Sequence, residues 1–256
     1  MADDNVFKMS TIPELDQQKI PRHIAVIMDG NGRWAQNRSL PRIMGHREGA
    51  VSVHEIVRAC REIGVKVLTL YAFSTENWNR PKLEVQALMS LLKKYLREEL
   101  PNLKKNGISL RAIGEKDLLP DEVASVLDDV ITQTSGNTDM IMNLALSYGS
   151  RNEITRAVKQ ITESVLKEEL SVRDITEEEI NSRLDTADQP PPDLLVRTGG
   201  EKRLSNFLLW QASYAELYFT DIYWPEFRKK QLTEAIAEFQ LRQRRFGKTG
   251  EQVEHE

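Results

Sequence analysis

Short apolar runs punctuate the chain at residues 24–28, 65–73, 108–113, 140–146, 194–196 and 217–219. Their length and largely apolar character predict buried strands. Between them the apolar residues fall at helical spacing. Val53, Ile56, Val57, Cys60 and Ile63 form one stripe, which Gly64 is placed to close as a C-cap. Leu83, Ala87, Leu88, Leu91, Leu92, Tyr95 and Leu96 form a second, with Pro101 expected to end it. A third carries Ile154, Ala157, Val158, Ile161 and Val165, behind a capping-box pattern from Ser150 to Glu153. The spacing predicts a last helix over about residues 228–245 and a surface helix around Asp128-Asp129.

Strand and helix therefore alternate, which predicts an α/β fold: a single domain with a central, mostly parallel six-stranded sheet flanked by helices. Residues 189–192, Gln-Pro-Pro-Pro, read as a loop before a strand rather than a boundary. In such sheets ligands bind beyond the carboxyl ends of the strands. Those ends carry "DGNGR", "STENWNRP", "SYGSR" and "RTGGEKRLS", each polar, most of them glycine-bearing, after an aliphatic run. That edge is the expected site.

Charge sharpens the picture. The net charge is −4, which argues against a nucleic-acid partner, yet residues 22–47 hold five arginines and one acid. A local basic cluster on an acidic protein suits a discrete anionic ligand. Residues 167–188 hold eight acids against three bases and read as a solvated helical surface. The single cysteine, Cys60, excludes an internal disulfide and a cysteine-rich zinc site and favours a reducing cytosol. Residues 1–20 are polar with no secretory h-region, and no apolar run is long enough to span a bilayer.

In the first loop, Gly30 and Gly32 allow backbone N–H groups close to an anion, and Arg33 offers forked donors. Asp29 would repel phosphate unless a cation such as Mg²⁺ stands between them. A tight turn with a capping aspartate fits the same residues. The loop matches neither a Walker motif nor a dinucleotide fingerprint nor an EF-hand. A second loop carries Arg197, Arg203 and Ser205, so the two suit two anionic groups, or a diphosphate with another anion beside it. Ser74, Glu76, Asn77 and Arg80 cluster at another strand end, where Asn79 and Pro81 are expected to open the next helix. That helix, apolar on more than one face, suits a core or the wall of an apolar tunnel. His46 is either structural or a phosphate donor, and Glu216 either an ion-pair partner or a second metal carboxylate. No Ser-His-Asp order, HExxH or CxxC is present.

"HIAVIMDGNGRWA", Gly45-His46, "LTLYAFSTENWNRP", "RTGGEKRLSNFLLWQ" and "YAELYFTDIYWPEF" resemble the motifs of the cis-prenyltransferases, particularly the bacterial undecaprenyl diphosphate synthases. The resemblance sets a domain at 20–247 between a polar N-terminal extension, 1–19, and a polar tail, 248–256. It implies a homodimer, a sheet and helices enclosing a hydrophobic tunnel, and Mg²⁺. The implied reaction adds isopentenyl diphosphate repeatedly, in cis, to an allylic primer such as farnesyl diphosphate. The product would be a long polyprenyl diphosphate, such as the undecaprenyl carrier of cell-wall synthesis. The alternative is a non-catalytic subunit of a heteromeric enzyme.

By motif, the resemblance makes Asp29 and Asn77 the catalytic positions, and Asp29 with Glu216 the metal carboxylates. Gly30, Asn31, Gly32, Arg33, Arg42 and His46 would hold the allylic diphosphate. Trp34, Ser74, Thr75, Glu76, Trp78 and Arg80 would position substrates, and Arg197, Arg203, Leu204 and Ser205 the homoallylic diphosphate. Arg245 and Gly247 would reach across the dimer. The family gives proton acceptance to the position of Asn77. An amide has almost no basicity, so Asn77 reads better as a positioning group, with the departing diphosphate as base. "SYGSR" at 147–151 replaces the more usual Asn-Tyr-Gly-Gly-Arg, and Lys202 stands where some members have histidine. The small Ala72 leaves the tunnel open for a medium or long product. The expected location is cytoplasmic, peripheral at the inner face of the plasma membrane, with contact near the tunnel mouth.

Overall fold

The computed structural model describes residues 13–242. Strands β1 (His23–Ile27), β2 (Val67–Ser74), β3 (Ile108–Ile113), β4 (Met140–Tyr148), β5 (Leu194–Arg197) and β6 (Glu216–Phe219) form one sheet in the order β3-β4-β2-β1-β5-β6. Every pairing in it is parallel, so the expected mostly parallel sheet is wholly so. The strand order turns back around β1: one crossover leads from it to β2, and later ones arrive at β5 on its other side. Such a reversal opens a crevice at the carboxyl ends of β1, β2 and β5.

Helices α1 (Asn31–Gln36), α2 (Arg42–Ile63), α3 (Lys82–Lys105), α4 (Asp121–Thr134), α5 (Ser150–Leu166), α6 (Glu177–Asn181) and α7 (Lys229–Leu241) surround the sheet. Because side chains alternate along a strand, Ile24, Val26, Leu68 and Leu70 share a large core with Ile56 and Cys60 of α2 and Leu96 of α3. The opposite face buries Ala25, Ile27 and Leu195 against Phe207, Leu208 and Ala212. Gly64 caps α2 as expected, with φ 101° and its N–H donating to the Cys60 carbonyl.

Other boundaries differ. Pro101 lies inside α3, which continues to Lys105; a proline lacks one helical N–H, and burial of Leu103 holds the following turn on the core. Residues 75–79 form a 3₁₀ turn, so α3 starts after Pro81 and Asn79 does not cap it. Leu83, counted in the apolar stripe, is 81% exposed in the helix's first turn, outside the core. Ser150 and Glu153 form no capping box: Glu153 is buried and accepts from the Tyr148 hydroxyl at 2.5 Å, while the Ser150 N–H donates to the Asn206 carbonyl. Residues 167–188 are largely turns rather than helical surface, because only Glu177–Asn181 completes an α-helix. The helix foreseen to residue 245 ends at Leu241. Arg245, Gly247 and the tail at 248–256 lie outside the described residues, as does most of the 1–19 extension. Of that extension, Leu15 packs on the core and Asp16 bonds Gln240. Among the described residues no helix is long and apolar enough to cross a membrane.

One polar network crosses the smaller core face at the amino ends of the strands. His23 Nδ1 lies 2.7 Å from the Pro190 carbonyl and must donate to it, so Nε2 accepts from the Thr69 hydroxyl at 2.7 Å. Thr69 in turn accepts from Asn143. Burial holds the His23 pKa down to about 4, against the upward pull of the Pro190 carbonyl and the Asp193 carboxylate. Because the folded value lies below the unfolded one, the stabilisation is complete above about pH 6.5 and is lost as pH falls toward 4. The loss attributable to this group is about 3 kcal/mol. Urea unfolding of wild type and His23→Gln from pH 7 to 4 should show a shallower decline in the variant.

Candidate active site

The chain leaves β1 at Ile27, and Gly30, at φ 102°, turns it into α1. A side chain at Gly30 would meet the Tyr223 ring at 2.6 Å, so close packing and left-handed backbone both require glycine there. The second loop is drawn onto the first by Thr198, whose hydroxyl donates to the Asp29 carbonyl at 2.7 Å and accepts from its N–H at 3.0 Å. Gly199, at φ 85°, lies against it: a Cβ there would stand 2.9 Å from Arg33 Nη2.

Asp29 is the hub. Its Oδ1 accepts from the Gly30 N–H at 2.6 Å and lies 3.2 Å from Arg33 Nη2, while Oδ2 accepts from Arg197 Nη2 at 3.0 Å. Burial pushes its carboxyl upward; the hydrogen bond from Arg197 and the charges of Arg33 and Arg197 outweigh this and hold it below the ordinary value. The side chain of Arg197 is only 4% exposed, and its Nη1 bonds the Arg203 carbonyl and, at 2.7 Å, the Ser205 hydroxyl. One guanidinium thus ties both loops together. On the facing helices Arg42 and Arg80 both approach Glu84, at 3.7 and 3.3 Å. Beside them burial lowers the His46 pKa to about 4, reinforced by the charge of Arg80. His46 is a neutral imidazole at pH 7, a donor rather than a cation.

A cavity of about 650 Å³ opens above these groups. Asp29, Asn31, His46, Ser74, Glu76, Asn77, Arg80, Arg197, Arg203 and Ser205 line its polar part. Inward it becomes apolar, walled by Val53 of α2, Leu88 and Leu92 of α3, and Leu144 and Leu146 of β4. Among the described residues, five buried side-chain polar atoms lack a hydrogen-bond partner; four of them, Asn31 Oδ1, His46 Nε2, Tyr95 OH and Arg197 Nε, belong to residues of this lining. Unpaired buried polar atoms are costly, and their concentration here marks a ligand site.

The remaining expected residues sit around the cavity rather than on it. Gly32 is packed under the Arg42 guanidinium, and Trp34 donates to Glu226 at 3.2 Å beneath Arg38. Thr75 abuts Gly149, Trp78 stacks edge-on against Phe73, and Leu204 packs on the smaller core. Glu216 stands apart from Asp29. It opens β6 opposite Leu194, whereas Asp29 follows the far end of β1, about 10 Å further along the strands. Its carboxylate accepts from Arg242 at 2.9 Å. Within one chain it does not share a metal with Asp29.

Four site residues escaped the sequence reading: Thr198, Glu84, Tyr223 and Asn206. Asn206 bridges loops, its amide donating to Glu76 at 3.2 Å and its Oδ1 accepting from the Arg151 N–H at 2.9 Å. Apart from Glu84 and the bonds of Asn206 to Ser150 and Arg151, the partners named here lie 130 or more residues distant, so no local pattern announced them.

Among the described residues no group of three or more His, Cys, Asp or Glu could hold a metal unaided. Asp29 in an arginine-rich pocket still suits Mg²⁺, which commonly takes one or two carboxylates and completes its shell with phosphate oxygens and water.

A family model described as "Putative undecaprenyl diphosphate synthase" matches residues 27–247. The chain belongs to this family. An isoprenyl transferase of Agrobacterium fabrum is 49% identical over 242 residues, covering 94% of this chain and 98% of the relative. One of Shouchella clausii is 50% identical over 233 residues, covering 91% of each. Among solved structures, lavandulyl diphosphate synthase from Lavandula x intermedia, in complex with dimethylallyl diphosphate, aligns with a TM-score of 0.88 at 35% identity, covering 90% of this chain and all of that one. A probable undecaprenyl diphosphate synthase from Campylobacter jejuni aligns at 0.74 with 39% identity, covering 89% and 99%. The expected family is thereby borne out, and family membership makes the chain a prenyltransferase.

Proposed function

We propose that the chain elongates an allylic diphosphate, farnesyl diphosphate in the first instance, by cis condensation with isopentenyl diphosphate, to a long polyprenyl diphosphate. The observation that carries this reading is the meeting of two arginine-glycine loops at Asp29, above a cavity that turns apolar inward. Two diphosphates match the two loops, and a growing hydrocarbon matches the apolar wall.

Asn31, His46 and Arg80 face the allylic diphosphate, His46 through an uncharged N–H. Arg197, Arg203 and Ser205 face the homoallylic one, which the Arg197 fork fixes in place. Mg²⁺, when bound beside Asp29, stabilises negative charge developing on the leaving diphosphate. The arginines add fixed positive charge that requires no reorganisation as the C–O bond breaks. Asn77 presents a donor, because its Oδ1 already accepts from the Ser74 N–H at 3.2 Å. It therefore orients a group, and the proton lost beside the new bond passes to the departing diphosphate. The apolar wall keeps water from the allylic cation.

Purified protein with Mg²⁺, farnesyl diphosphate and labelled isopentenyl diphosphate should yield butanol-extractable label as a ladder ending in one long product. Short products only would overturn the chain-length reading. No extractable label would favour the non-catalytic subunit, and a pull-down for its active partner would follow.

We also assign membrane contact to the outer groove between α2 and α3. Its cavity of about 710 Å³ is lined by Ile43, Val51 and Leu91 together with Arg47, Lys94, Glu98 and Glu99, and it shares Ala50, Leu91 and Tyr95 with the main cavity. Anionic liposomes should float the protein, and Val51→Glu should abolish this; equal flotation of both would reject the assignment.

A further inference from the structure

The register between β2 and β4 is interrupted twice. Tyr71 pairs with Ala145, Phe73 with Leu146 and Ser74 with Tyr148, so Ala72 is skipped on one strand and Ser147 on the other. Paired bulges of this kind bend both strands and re-aim the side chains that follow. At Ser147 the backbone is left-handed, with φ 48°, a conformation serine rarely adopts. The residue is fully buried, and its Oγ accepts from the Trp78 indole N–H at 2.9 Å. Trp78 in turn packs edge-on against Phe73, with ring centroids 4.9 Å apart, and it directly follows the cavity residues Glu76 and Asn77. Ser147 itself lies outside the cavity lining.

We infer that Ser147 is a positioning residue: its left-handed bulge and its hydroxyl together anchor Trp78, and through Trp78 the 74–80 turn that presents Asn77 and Arg80 to substrate. The inference rests on the proposed reaction for its kinetic consequence, but not for its geometry. A bulge alone would be served as well or better by glycine, which adopts positive φ without strain. The hydroxyl is what glycine lacks, and its loss strands a part-buried indole N–H.

The test is a double-mutant cycle with Ser147→Gly and Trp78→Phe. Ser147→Gly is expected to change the melting temperature little, because relief of the left-handed backbone offsets the stranded indole N–H, while kcat/KM falls about tenfold as the 74–80 turn loses its anchor. In the Trp78→Phe background, where there is no N–H to lose, the same substitution should lower kcat/KM no further. Tryptophan emission provides a readout independent of catalysis: adding Ser147→Gly should shift it when Trp78 is present and leave it unchanged in the Trp78→Phe background. Equal kinetic losses in both backgrounds, or no emission change specific to Trp78, would overturn the inference. If wild type makes no product, the proposed reaction fails instead, and the emission cycle alone decides the role of Ser147.

Discussion

Asp29→Asn is expected to lower product formation on the order of 10³-fold, the scale on which a group that acts on transition-state charge makes itself felt. Asparagine keeps the size of the side chain and an oxygen for the Gly30 N–H, so the loop retains its shape. What it removes is the negative charge between Arg33 and Arg197. The site then becomes more positive, and inorganic diphosphate should bind at least as tightly as to wild type, measured by calorimetry without Mg²⁺. That combination, lost turnover with retained anion binding, separates a carboxylate that serves the metal and the reacting groups from one that merely scaffolds the arginines. Loss of both together would support the scaffold. The depressed Asp29 pKa adds a pH signature: the stability the carboxylate contributes is fully present above the ordinary carboxylate range and is lost progressively as pH falls below that range through the lowered folded value. In Asp29→Asn that acid decline should be absent.

The sequence made the sheet legible because every strand falls on a short, largely apolar run, the pattern a buried parallel sheet imposes. It made the two loops legible because two glycine-arginine turns coincide at strand ends, although either alone reads equally well as a tight turn. What stayed hidden was set by distance. Glu84 reads as an ordinary first-turn acid of α3 until Arg42 is folded opposite it. Glu153 mimics a capping residue until Tyr148 and Gln211 claim its carboxylate. Glu216 shows what a motif leaves open, namely where its residue stands in the sheet. Its motif suggested a metal carboxylate, but a motif carries no strand direction, and in a parallel sheet the first residue of β6 stands at the end remote from Asp29. The two bulges at Ala72 and Ser147 were invisible for a simpler reason: neither position carries the glycine that usually announces one.

Arg197→Lys is the sharper test of the two-loop arrangement. Lysine preserves the positive charge, and within a nearly closed pocket it preserves most of the volume. It cannot preserve the fork, because one ammonium cannot reach the Arg203 carbonyl, the Ser205 hydroxyl and Asp29 in the directions that the guanidinium serves simultaneously. The Nε donor, buried and unpaired among the described residues, is lost as well. Each charge-assisted bond forfeited is worth about 1.5–3 kcal/mol. KM for isopentenyl diphosphate should therefore rise roughly 10- to 100-fold, with KM for farnesyl diphosphate changed far less. Arg197→Ala should add a folding defect of about 1–3 kcal/mol, since the Arg203 carbonyl and the Ser205 hydroxyl lose their donor while Arg33 still pairs with Asp29. Steady-state kinetics with each substrate varied in turn, alongside urea unfolding, distinguishes the cases. Equal rises in both KM values would mean that Arg197 serves one shared anion site, and the assignment of one diphosphate to each loop would have to be abandoned.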